Sequence, residues 1–206
     1  MKKMFFGISA IALVVVAACN SNSKSAKEND MSKANTDTSK KIVDTISITE
    51  VNHSFSNVDP KLAASLKTVV DYYLHIKNAL INNSGSDAAT GGKEMAEAIV
   101  KVDRSLFTAD QKKVYDDIEG DLKENAEHVG KSGGDIGHQR EHFSMMSEDM
   151  YDLVKAFGGG QTLYHDHCPM ASDDKGAMWL SEVKEVKNPY FGGKMNECVK
   201  VVEVIK

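Results

Sequence analysis

The chain has 206 residues, a formal net charge of −5 and 41% hydrophobic but only 7% aromatic residues, which leaves room for one domain of ordinary size with extensions. A mildly acidic chain in which no basic face is spaced to track phosphates is not built to bind nucleic acid. Beyond the first residues, no apolar run is long enough to span a bilayer.

The start of the chain is expected to be processed rather than folded. Lys2-Lys3 precedes an apolar run from 5 to 16 that is too short for a mature transmembrane helix and has the layout of a signal peptide, residues 1–18. The run ends in Val16-Ala17-Ala18-Cys19, which resembles the bacterial lipobox, where small residues admit a signal peptidase and the cysteine thiol accepts a diacylglycerol. Cys19 is thus the expected lipidation site. An ordinary secretory signal with an incidental cysteine is the alternative. A lipid there would hold the mature chain on a membrane of the bacterial cell envelope, facing the periplasm or the surface, without inserting protein. Residues 19–57 then read as the lipidated cysteine and a flexible tether. From 20 to 41 there are Ser, Asn, Lys, Thr, Asp and Ala with almost no large apolar residue, too little to offset the entropy of ordering. An extended piece at 42–51 lies within this segment, and the folded domain is expected over 58–206.

Asp59-Pro60 marks a helix start, with Asp as N-cap and Pro in the first turn; Leu62, Leu66, Val69, Tyr73, Ile76 and Leu80 follow at helical spacing to about Asn83. His75 falls almost opposite that stripe and reads as a solvated residue. A second stripe, Ala88, Met95, Ile99, Val102 and Leu106, contains Gly91-Gly92. Each glycine costs about 1 kcal/mol in a helix interior, so the first half is expected to be frayed or bent. Thr108-Ala109-Asp110-Gln111 is a capping box opening a third helix through Val114, Tyr115, Ile118, Leu122, Ala126 and Val129, with Gly130 as its stop.

The fourth helix is expected over 135–157, with Ile136, Phe143, Met146, Met150, Leu153 and Phe157 facing the core. About 100° away, steps of three and four residues gather His138, His142, Met145 and Asp149 into a second, narrow stripe. Two histidines at i and i+4 can chelate a metal. A methionine one turn on adds a soft ligand, so this set suits copper better than zinc. The plain alternative is a solvated or half-buried polar face. The residues between the histidines, Gln139-Arg140-Glu141, do not make the His-Glu-x-x-His pattern of a metalloprotease.

Gly158-Gly159-Gly160 ends the helical period, and short apolar runs at 162–167, 177–180 and 199–205 read as strands of a small sheet on one end of the bundle. Soft ligands concentrate there. Cys168-Pro169-Met170 is answered about thirty residues later by Met195-Asn196-Glu197-Cys198, with His165 and His167 just upstream. Thiolate and thioether sulfurs prefer Cu(I), or Ag(I), over hard ions. Pro169 pushes Cys168 into an extended conformation, and Gly192-Gly193 lets the second segment fold back. With Cys19 assigned to the lipid, Cys168 and Cys198 are the remaining thiols of the three in the chain. A disulfide between them is the main alternative, and it leaves Met170 and Met195 unexplained. A zinc site from His165, His167, Cys168 and Cys198 has suitable ligand types, although the histidines lie too close to the cysteine for the usual spacing. If the segment is extended, His165 and His167 share one side, and His167 points away from the thiol beside it. Trp179 reads as a core or lid aromatic.

Together, Tyr164-x-x-His167-Cys168-Pro169-Met170-Ala171, Gly176-Ala177-Met178-Trp179-Leu180-Ser181 and Asn188-Pro189-Tyr190-Phe191-Gly192-x-x-Met195-x-x-Cys198 resemble domain of unknown function 3347. That family occurs as stand-alone periplasmic proteins and lipoproteins, and as the tail of periplasmic adaptor subunits of copper and silver efflux pumps. The resemblance implies that Cys168, Met170, Met195 and Cys198 are the family's sulfur positions and that an efflux adaptor or another copper carrier is the partner. Family members often carry glycine after the last cysteine, where this chain has Val199.

The expectation is therefore an α+β, mostly α domain: an antiparallel bundle of about four helices followed by a small β segment carrying the Cys/Met motifs. Its expected task is Cu(I) or Ag(I) binding for buffering, resistance or delivery, with zinc less suited. The rival is a structural or interaction lipoprotein whose cysteines form a plain disulfide. No catalytic arrangement is legible, and the missing Cys-x-x-Cys disfavours a thiol enzyme.

Overall fold

A computed structural model describes residues 48–206. The expected signal peptide, Cys19 and most of the tether lie outside the described residues.

The first helix, α1 (Pro60–Ile81), starts where the local chemistry requires. The Asp59 carboxylate accepts from the backbone N–H groups of Lys61 and Leu62, and Pro60 opens the first turn. The helices α2 (Gly85–Val100), α3 (Ala109–Lys131) and α4 (Ile136–Phe157) follow through short connections, the second of which includes a 3-10 turn at Arg104–Leu106. Each helix packs on the next, and α1 closes against α4, giving the expected antiparallel bundle. Its core is the predicted stripes: Leu62, Leu66, Tyr73, Leu80, Met95, Ile99, Leu122, Phe143, Met146, Met150 and Leu153 are buried. The α3 capping box is complete, because Thr108 Oγ1 accepts from Gln111 N and Gln111 Oε1 accepts from Thr108 N.

Two expectations about glycine are overturned. The glycines of α2 neither fray nor bend it: a Cβ on Gly91 would lie 2.9 Å from the Ile76 side chain, and one on Gly92 would lie 2.7 Å from Ala126 O and Gly130 N. Their lack of a side chain lets α2 lie close to α1 on one side and α3 on the other, which compensates for their poor propensity. Gly130 is likewise inside α3, at that close approach, and the helix runs on to Lys131 with Ser132 as its cap.

A mixed four-stranded sheet follows the bundle. Its strands are β1 (Thr49–Val51), β2 (Leu163–Cys168), β3 (Ala177–Ser181) and β4 (Lys200–Ile205), in the order β1-β4-β2-β3. β1 runs parallel to β4, whereas β2 is antiparallel to both β3 and β4. The pairing of β2 with β4 slips between His165 and Asp166, leaving Val202 unpaired and exposed. Because of this bulge, β4 does not alternate regularly between buried and exposed residues. The tether also ends earlier than residue 57. Thr49–Val51 forms the sheet edge, Ser54 and Phe55 donate backbone hydrogen bonds to Lys155 O and Ala156 O, and the Phe55 ring meets Phe157 at 5.2 Å. The sheet is tied to the bundle by Tyr73, whose hydroxyl accepts from Leu180 N at 3.0 Å while pairing with Ser147 Oγ at 2.8 Å.

Candidate metal centre

Cys168 ends β2 because Pro169 follows it, and Cys198 ends the turn that leads into β4. Their sulfurs lie 3.6 Å apart, both as free thiols. Cys168 is 0% exposed and packs within the core cluster that includes Ala171, Ala177, Trp179 and Tyr190, whereas Cys198 is half-buried. The Cys198 thiol points back at its own turn, donating to Met195 O at 3.1 Å. Burial and the neighbouring Cys168 push its pKa up. The turn that delivers it is tight: Gly192, Gly193 and Met195 all have positive φ, at 62°, 72° and 54°. A Cβ on Gly192 would strike the Asn83 side chain, so only glycine closes this approach to the end of α1. β4 begins at Lys200, immediately after Val199, whose N–H closes the turn on Asn196 O.

The two methionines are placed differently. Met195 is half-buried in the Cys198 turn. Met170 is 45% exposed and lines a groove against α4 together with Met145, which is 47% exposed, and with Arg140, Ser144 and Phe191. Thus Met170 and Met145 share a rim, while Cys168, two residues from Met170, turns into the core.

His165 and His167 occupy one side of β2, opposite Leu180 and Met178 respectively, and both line a groove against α4. Strand alternation puts Cys168 on the other side. His165 is buried and stacked on Tyr151 at 4.1 Å; burial lowers its pKa to about 4, so the ring is neutral. His167 packs beside Gly176. Between the two histidines, Asp166 points inward with both carboxylate oxygens unpaired among the described residues, and burial raises its pKa to about 7. Trp179 is a fully buried core residue, edge-on to Tyr190 at 5.6 Å.

On α4, His138 and His142 stand one turn apart with their Nε2 atoms 3.1 Å from each other. His128, absent from the motif reading, comes across from α3. Its ring stacks on His142 at 4.2 Å, and ligating atoms of the three imidazoles lie within 4.8 Å of one another. Burial, followed by the nearness of His128 and His138, lowers the His142 pKa. Met145, on the same stripe of α4, lines the groove with Met170. One turn beyond it, Asp149 has its pKa raised to about 6 by burial and by Asp121, Asp152 and Glu148. The only trace of His128 in the sequence is its place next to the core residue Val129 in the last turns of α3. Finding it requires knowing that α3 and α4 run side by side in opposite directions.

No described helix is long and apolar enough to cross a membrane. Residues 69–162 match the family model described as a protein of unknown function (DUF3347). This stretch runs from within α1 past the end of α4, so it contains all three clustered histidines and stops before both cysteines. No curated protein and no solved structure matches the chain. Over its helical part, the chain is thus similar to the DUF3347 family.

Proposed function

We propose that this protein is a cell-envelope lipoprotein that binds a soft monovalent cation, Cu(I) or Ag(I), through the thiols of Cys168 and Cys198. It would buffer the ion or pass it to an efflux adaptor or another carrier. The observation that carries this reading is the 3.6 Å separation of two free sulfurs. A disulfide requires about 2.05 Å, so the two sulfurs are unbonded yet adjacent, near enough for small side-chain rotations to bring both onto one ion. One sulfur is sheltered in the core and the other is reachable from solvent, which suits an ion that must enter and leave. Met195 is the nearest thioether in sequence to the half-buried thiol and supplies a third soft donor on the same turn. Met170, on the groove rim with Met145, supplies a landing place for the ion. The proposed role is binding rather than catalysis.

Titration of the reduced full chain with Cu(I) against a competing chelator tests this. The expected result is one tightly held equivalent that Cys168→Ser abolishes and Met195→Leu weakens. Weak binding that both substitutions leave unchanged would exclude the site.

A further inference from the structure

We propose that His128, His138 and His142 form a second metal site, specific for a borderline divalent transition-metal ion of the Zn(II) type and independent of the thiol pair. The proposal goes beyond the soft-cation reading and does not rest on it.

Asn125 Oδ1 lies 2.9 Å from His142 Nδ1, and Glu141 Oε2 lies 3.3 Å from His138 Nδ1. A carboxylate and an amide oxygen only accept hydrogen bonds, so each Nδ1 carries the ring proton. Both Nε2 atoms then present lone pairs, and they face each other at 3.1 Å. Two such lone pairs repel unless a proton or a cation lies between them. Bonds of about 2.05 Å to one tetrahedral ion would put two imidazole nitrogens about 3.4 Å apart, close to the separation observed. His128 adds a third nitrogen from the opposite helix, within 4.8 Å of the others.

A backing acceptor on Nδ1 is the usual support of a metal-binding histidine, because it sets the tautomer and the ring orientation. Here two of the three rings have one, from α3 in one case and from α4 in the other. Three neutral imidazoles with no sulfur among them select Zn(II), Cu(II) or Ni(II) rather than Cu(I), and three ligands leave a fourth position for water. The ion would also cross-link α3 to α4.

The test uses the full chain carrying Cys168→Ser and Cys198→Ser, stripped with a chelator and titrated with Zn(II), with Co(II) as an absorbing surrogate. The expected result is one equivalent of Zn(II), a raised melting temperature and a Co(II) spectrum without sulfur charge-transfer bands. His128→Ala on that background should weaken binding at least 100-fold, which separates a three-histidine site across two helices from a simple i, i+4 histidine pair. Glu141→Ala, at an exposed position, should weaken it about 10-fold, in the range of lost backing interactions. Circular dichroism checks that each variant is folded. Loss of Zn(II) binding in the double serine chain, or unchanged binding in His128→Ala, would overturn the proposal. Cu(I) titration of the chain lacking all three histidines reports on the thiol pair alone, so the failure of either site is read separately.

Discussion

Gly92 of α2 and Gly130 of α3 meet backbone to backbone: a Cβ on Gly92 would come within 2.7 Å of Gly130 N and of Ala126 O. Neither obstacle is a flexible side chain that could rotate aside. Alanine at 92 improves helix propensity by about 1 kcal/mol, but pushing two helices apart in a packed core costs roughly 1 to 3 kcal/mol or more. Gly92→Ala is therefore expected to lower stability by up to about 2 kcal/mol net in urea unfolding. The same substitution at Gly120, where a Cβ meets nothing within 4 Å, should raise it.

The thiol pair makes a redox prediction. Rotation of the two side chains brings sulfurs now 3.6 Å apart to bonding distance, and the resulting bond closes a loop of about thirty residues. Mild oxidation is expected to give a chain 2 Da lighter, within the general disulfide geometry, and stabilised by roughly 3 to 4 kcal/mol. Oxidised protein should lose Cu(I) binding and regain it on reduction, measured by mass spectrometry and chelator competition.

Asp149 sets a pH dependence. Its pKa is raised to about 6 in the fold, by burial first and by Asp121, Asp152 and Glu148 next, against about 3.9 for an unfolded aspartate. The folded state then holds the proton more tightly, so this group's contribution is present below pH 4 and is lost as pH rises through 6. Asp149→Asn should stabilise the chain by on the order of 1 kcal/mol above pH 7, after allowance for solvent screening of a half-exposed group. The gain should disappear near pH 4. Thermal melts of both chains at pH 4 and pH 7.5 measure it.

Lys77 is the charged residue on which the join between bundle and sheet depends. Its side chain is 1% exposed, and its ammonium donates to Ser181 Oγ at 3.2 Å and to Glu182, whose side chain is 29% exposed. Burial pulls the Lys77 pKa down, so the ammonium depends on its partner. Glu182→Ala leaves that charge unpaired and should cost about 2 to 4 kcal/mol, whereas Lys77→Met with Glu182→Leu should recover most of the loss. Urea unfolding of the two variants and the unsubstituted chain decides between these outcomes.

The sequence alone was enough for whatever depends on neighbours in the chain. Asp59-Pro60 and the Thr108–Gln111 box start their helices through contacts three residues long, the apolar stripes bury as their spacing requires, and Pro169 ends β2 at Cys168. The meeting of Cys168 with Cys198 was legible too, because the motif is repeated across a short excursion with glycines at its turn. Tertiary structure decided the rest. Gly91, Gly92 and Gly130 read locally as helix breakers and act instead as contact points, since the missing side chain matters only when another helix lies against it. β1 lies within the extended piece expected at 42–51, but its place at the sheet edge was not legible, because three residues of an edge strand carry little pattern without their partner β4. His128 joins His138 and His142 only across the α3–α4 seam, and Met145 turns to a groove shared with Met170. A side chain's position on its own helix is a property of the sequence, whereas what it faces depends on how the helices are packed.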